Sequence, residues 1–138
     1  MVGLKRYLTM TAYKSIFLAD DDIQDQEIFM EAINIVDKTI KLFSAKDGVA
    51  ALQSLKDGQK PDLIFLDINM PLLNGKQLLA ELKSIDSLRK IPVIMYSTFF
   101  GENDIQEIKT LGAVHHMVKP AKFDLLVSSL KFILGRKW

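Results

Sequence analysis

Three short runs of mostly bulky apolar residues stand out in this chain: Ile16-Phe17-Leu18-Ala19, Leu63-Ile64-Phe65-Leu66 and Val93-Ile94-Met95-Tyr96. Apolar runs this short, bounded by turn residues, read as strands buried on both faces of a parallel sheet. They predict strands over residues 15–19, 62–66 and 93–96, with Pro61 and Pro92 opening the second and third of these. Two weaker runs predict strands over residues 40–44 and 115–118. Helical spacing fills the intervals. Residues 23–36 present Ile28, Ala32 and Ile35 as an inward stripe, and Asp22 precedes them as an N-cap with Asp25 in the first turn. Residues 49–56 form a second helix closed by Asp57-Gly58. Residues 76–85 carry Leu78, Leu79, Leu82 and Ile85, whereas residues 103–111 offer only Ile105, Ile108 and Leu111 for burial. Residues 122–134 place Phe123, Leu126, Val127, Leu130, Ile133 and Leu134 at core spacing.

Five strand–helix units in succession predict an α/β fold, a parallel sheet with helices on both faces. Right-handed crossovers leave few topologies, and ligands in such sheets bind beyond the carboxyl ends of the strands. Those ends carry the polar residues. Asp20-Asp21-Asp22 follows the first strand, Asp67 the third, Ser97-Thr98 the fourth and Lys119-Pro120 the fifth. Gathered carboxylates repel one another, and unaided the cluster would push one of them toward protonation. A hard divalent cation resolves the conflict, and a site with few carboxylates suits Mg²⁺ better than a closed Ca²⁺ cage. An ionised aspartate beside such a cation can attack phosphorus to give an acyl phosphate. A lysine and a hydroxyl nearby would then meet the phosphoryl oxygens.

Composition narrows the function classes. The 138 residues fit one domain, and 18 basic against 17 acidic side chains offer no field for nucleic acid or an acidic membrane. With no cysteine, thiol catalysis, disulfides and cysteine-based zinc sites are excluded. His115 and His116 lack a further ligand to make a zinc site. No apolar stretch approaches the ~20 residues of a membrane helix, and a cytoplasmic location is expected. Residues 1–13 read as an extension preceding a single domain over residues 14–138.

The acidic pair Asp20-Asp21, the stretch Asp67-Ile68-Asn69-Met70-Pro71 with Gly75, Ser97 and Lys119-Pro120 resemble the receiver domain of two-component response regulators, in its single-domain CheY-like form. The match runs from Lys14 to Leu134. The resemblance implies a doubly wound, flavodoxin-like five-stranded sheet of order 2-1-3-4-5 with five helices. It implies that Asp67 accepts a phosphoryl group from a phosphohistidine on a sensor histidine kinase or phosphotransfer protein. It further implies Mg²⁺ bound by Asp21, Asp67 and the Asn69 backbone carbonyl, with Asp20 acting mainly through a metal-bound water. Lys119 would pair with Asp67 or the phosphate, Ser97 would act as the switch, and a cis peptide is expected before Pro120.

Three positions depart from the family pattern. His116 stands where the family has Tyr or Phe, so coupling of Ser97 to the outer face is expected to be weaker or pH-dependent. Thr98 replaces Ala or Gly and is expected to slow transfer from small phosphodonors. Phe99 is expected to prolong the acyl phosphate by shielding it from water. The expected output face spans helix four, strand five and helix five, with Phe99, Phe100, Leu125 and Phe132 as anchors for a downstream effector protein, and leaves homodimerisation open. The competing reading is a receiver-like binding module that signals without phosphorylation. An aspartyl-phosphate hydrolase of the haloacid dehalogenase type wants Asp where Asn69 stands, and a flavodoxin wants donors where the first loop is acidic. A signalling domain, rather than an enzyme or a direct transcription factor, is therefore expected.

Overall fold

The computed structural model describes residues 12–138. Most of the extension expected over residues 1–13 lies outside the described residues, and Tyr13 at its end packs into the core. The strands are β1 (Ser15–Ala19), β2 (Lys41–Ala45), β3 (Leu63–Leu66), β4 (Val93–Ser97) and β5 (His115–Val118). The helices are α1 (Ile23–Val36), α2 (Gly48–Lys56), α3 (Gly75–Ser84), α4 (Asp104–Thr110) and α5 (Phe123–Leu134). All strand pairs are parallel and the order is β2-β1-β3-β4-β5, the doubly wound topology expected.

Alternation along the strands divides the core in two. Ile16, Leu18, Leu63, Phe65, Ile94 and Tyr96 face α1 and α5, meeting Phe29, Ala32, Ile33, Leu126, Leu130 and Ile133. Phe17, Ala19, Ile64, Leu66, Val93 and Met95 face α2, α3 and α4, meeting Ala51, Leu55, Leu78, Leu79, Leu82 and Ile108. Burial on both faces is why the interior positions of these strands are apolar up to their carboxyl ends.

The stripe expected on α1 is rotated. Phe29, Ala32 and Ile33 are buried, while Ile28 and Ile35 are 43% and 59% exposed. The aromatic residue decides the rotation. Phe29 stands edge-on to Phe65 at 5.0 Å between ring centres and lies 5.4 Å from Tyr96, a packing that no isoleucine on the neighbouring face could match. On α5, Phe123 likewise turns outward while Leu126, Leu130, Ile133 and Leu134 are buried. On α4 only Ile108 is buried. Among the described residues no peptide bond is cis, so the Lys119–Pro120 bond is trans, contrary to the expectation.

Candidate functional site

Strand register builds the site. The last pair between β1 and β3 is Ala19 with Leu66, so Asp20 and Asp67 leave adjacent strands side by side. The Asp67 N–H donates to the Ala19 carbonyl at 2.9 Å, which continues the ladder one step and fixes that approach. Ser97 pairs with Val118 across β4 and β5, and the Lys119 N–H donates to the Ser97 carbonyl at 2.8 Å. Backbone hydrogen bonds thus bring Asp20, Asp67, Ser97 and Lys119 to one edge before any side-chain contact is counted.

The loop after β3 is pressed against this edge by glycine. The Gly75 N–H donates to the Ile68 carbonyl at 2.8 Å, and a Cβ on Gly75 would lie 2.0 Å from the Asp67 carbonyl oxygen. Any other residue there would push Asp67 or α3 away. In the same loop Leu72 adopts φ +71° with its side chain exposed, a left-handed conformation unusual for leucine.

Asp67 is buried, and both its oxygens are engaged. Oδ1 accepts from the Ser97 hydroxyl at 3.0 Å and from the Asn69 N–H at 3.3 Å. Oδ2 accepts from the Lys119 ammonium at 3.1 Å. Lys119 is itself nearly buried and lies 2.7 Å from Asp20 Oδ2 and 2.8 Å from Asp25 Oδ2. Burial pulls its ammonium down, but pairing with Asp20 and Asp25 and the field of Asp67 outweigh that and hold it above its ordinary value. Asp20 is fully buried; desolvation pushes its carboxyl up to about 6 against the opposing pull of Lys119 and the Asp22 N–H.

Asp20, Asp21 and Asp67 each offer an oxygen, and these atoms lie within 4.8 Å of one another. Asp20 Oδ1 accepts from the Asp22 N–H at 3.0 Å, whereas buried Oδ2 makes no hydrogen bond and meets Lys119 as an ion pair at 2.7 Å. Three clustered carboxylates, one with an unsatisfied buried oxygen, fit a hard divalent cation bound by oxygen ligands. Asp22 serves instead as the cap of α1, accepting from the Asp25 N–H at 3.1 Å.

The remaining expected residues surround this centre. Asn69 and Thr98 are exposed, and Phe99 is 70% exposed. His116 is half-buried and stands edge-on to Phe100 at 5.2 Å. Leu125 and Phe132 are exposed as expected, while Phe100 is partly buried against the core. Two participants escaped the sequence reading. Asp25, read as a helix-dipole residue, is an ion-pair partner of Lys119 94 positions away. Gln26 donates through Nε2 to the carbonyls of Asp20 and Ala45, at 2.7 and 3.0 Å, tying the first loop to the end of β2.

A parallel sheet of this order with acidic, hydroxyl and lysine side chains converging at its carboxyl edge defines a receiver-type signalling domain. Residues 16–131 match the family model for the response regulator receiver domain, and the chain belongs to that family, whose members act in two-component signalling between histidine kinases and effectors. Among curated relatives, response regulator Rcp1 of Synechocystis sp. is 32% identical over 98 residues, 67% of each chain. The solved structure of the phosphorylated cyanobacterial phytochrome response regulator RcpA has a TM-score of 0.81 at 33% identity, covering 88% of this chain and 91% of that one. The Mn²⁺-bound form of Rcp1 has a TM-score of 0.79 at 27% identity, covering 91% and 97%. Among the described residues no helix is long and apolar enough to cross a membrane.

Proposed function

We propose that this chain is a phosphoacceptor switch in which Asp67 takes a phosphoryl group from a phosphohistidine of a sensor kinase or phosphotransfer protein. The supporting observation is the environment of the Asp67 carboxylate. One oxygen faces the Ser97 hydroxyl and the Asn69 N–H, the other faces the Lys119 ammonium, and two further carboxylates stand alongside. An Asp67 oxygen donates an electron pair to phosphorus, and the P–N bond to the donor imidazole breaks with its electron pair left on nitrogen. Lys119 and Ser97, already bonded to Asp67, are the groups placed to meet the phosphoryl oxygens. Asp20, Asp21, Asp67 and the Asn69 carbonyl would hold Mg²⁺, which when bound neutralises charge on those oxygens.

The signal leaves through the end of β4 and through β5. Ser97 is followed directly by exposed Thr98 and Phe99, and His116 packs on Phe100 across the same sheet edge. A hydroxyl drawn toward a phosphoryl group would shift this segment, and a downstream protein would read the change.

Intact mass after treatment with acetyl phosphate and Mg²⁺ tests the reading. The native chain should gain one phosphoryl group, and both Asp67→Asn and chelation of the cation should abolish the gain. A native chain that binds partners and stays unmodified would instead mark a phosphorylation-independent module.

A further inference from the structure

We infer that Asp25 is a positioning residue for Lys119 that biases the site toward a divalent cation and against the phosphoryl group. The inference rests on the reading of Asp67 as phosphoacceptor. Asp25 stands outside the group of Asp20, Asp21 and Asp67, yet its Oδ2 is as close to Lys119 Nζ as Asp20 is, at 2.8 against 2.7 Å. The longest of the three ion-pair distances, 3.1 Å, is the one to Asp67. The ammonium donates hydrogen bonds to Asp25 and Asp67 and stands in an ion pair with Asp20. Asp25 therefore competes with Asp67 for the ammonium that Lys119 brings to this edge.

The contact is a product of the fold. The first turn of α1 is set by the Asp22 cap, which presents Asp25 toward the fifth strand's end. The Lys119 backbone is tied to Ser97, and its ammonium lies 5.4 Å from the centre of the Tyr96 ring. Asp25, Ile28, Tyr96 and Lys119 line one cavity of about 300 Å³, which leaves the side chain room on the Asp25 side. Asp25 itself is 30% exposed, so its charge is only partly screened.

The electrostatic consequence has opposite signs for the two ligands. Without ligands, Asp20, Asp21, Asp25 and Asp67 bring four negative charges against the one positive charge of Lys119. Mg²⁺ adds positive charge, and Asp25 favours it. Phosphorylation replaces a singly charged carboxylate by a dianionic acyl phosphate, and Asp25 opposes it, both by its charge and by its hold on Lys119. Since Asp25 and Asp67 touch the same ammonium, their oxygens are no more than about 6 Å apart, close enough for a shift of roughly three- to ten-fold at a partly screened site.

The experiment measures two affinities in the full chain: Mg²⁺ alone by calorimetry, and beryllofluoride, an anionic phosphoryl mimic, by fluorine NMR at saturating Mg²⁺. In Asp25→Asn the Mg²⁺ dissociation constant should rise, and that for beryllofluoride should fall, each by roughly three- to ten-fold. Asp25→Glu keeps the charge and should stay near native on both. Glu31→Gln, which removes a charge from the exposed side of α1, should change neither. Both affinities unchanged in Asp25→Asn, both moving in one direction, or Asp25→Glu behaving as Asp25→Asn would overturn the inference while leaving the phosphoacceptor reading intact. A native chain that binds neither ligand would defeat that reading, and this inference with it.

Discussion

Helices α1 and α4 each begin a few residues after a strand that ends in the site, yet they are secured in contrasting ways. Fourteen-residue α1 buries Phe29, Ala32 and Ile33, is capped by Asp22 and packs along α5. Seven-residue α4 buries Ile108 alone and has no side-chain cap. What ties α4 down is electrostatic: Lys76 of α3 forms ion pairs with Asp104 and Glu107. The acidic loop and Lys119's outer partner Asp25 lie on the first side; exposed Thr98 and Phe99 lie on the second. A switch needs a rigid wall to hold ligands and a weakly docked element to report them, because a locally unstable segment costs little to move.

The sharpest contrast is expected from two core truncations. Phe29→Ala removes a fully buried ring that touches Phe65 and Tyr96, and should cost about 3–5 kcal/mol in denaturant unfolding. Ile108→Ala also empties a buried site, but α4 can detach without global unfolding, so its cost should stay below about 2 kcal/mol. Amide hydrogen exchange within residues 104–110 should accelerate in Ile108→Ala while the strands remain protected. Equal losses of global stability, with uniform exchange, would place α4 in the same cooperative unit as α1 and erase the distinction.

The two sides were also unequally visible in the sequence. Runs such as Leu63-Ile64-Phe65-Leu66, too short for a helix and preceded by Pro61, read as buried strands, so the sheet and the residues at its ends could be read from the sequence. The rotation of α1 could not. Ile28-Ala32-Ile35 and Phe29-Ala32-Ile33 are both acceptable helical stripes, and the choice is made by Phe65 and Tyr96, which arrive from two other strands. Asp25 escaped for the same reason. In the sequence it belongs to a helix first turn, and only the parallel stacking of β1, β3, β4 and β5 brings Lys119 to it. Local pattern gives elements and their ends; it does not give partners that meet across the sheet.

A smaller effect should follow from cutting the ionic tie of α4. Lys76 is held above its ordinary value first by Asp104 and then by Glu107, and its replacement in Lys76→Met removes both pairs. Because the pairs are partly solvated, with Glu107 half exposed, the global cost should be under about 1 kcal/mol. Exchange of the α4 amides should nonetheless quicken, and raising the salt concentration should mimic the substitution in the native chain. If salt leaves α4 exchange unchanged, Ile108 rather than Lys76 anchors the helix.

The smallest effect concerns pH at the edge strand beside α4. His115 stacks on Trp138 at 4.9 Å, and burial, with smaller contributions from neighbouring His116 and Arg136, holds its imidazole below the ordinary value. A depressed imidazole binds protons more weakly folded than unfolded. Its contribution is therefore fully present above the unfolded value of about 6.5 and is lost as pH falls through the folded one. His115→Gln lacks this loss, so its stability relative to the native chain should improve steadily as pH drops from about 7.5 to about 5. Denaturation midpoints of the two proteins across that interval decide the matter. A constant gap would show that His115 is no more easily kept neutral in the fold than in the open chain, and that acid acts on the β5 edge no differently from the α1 side.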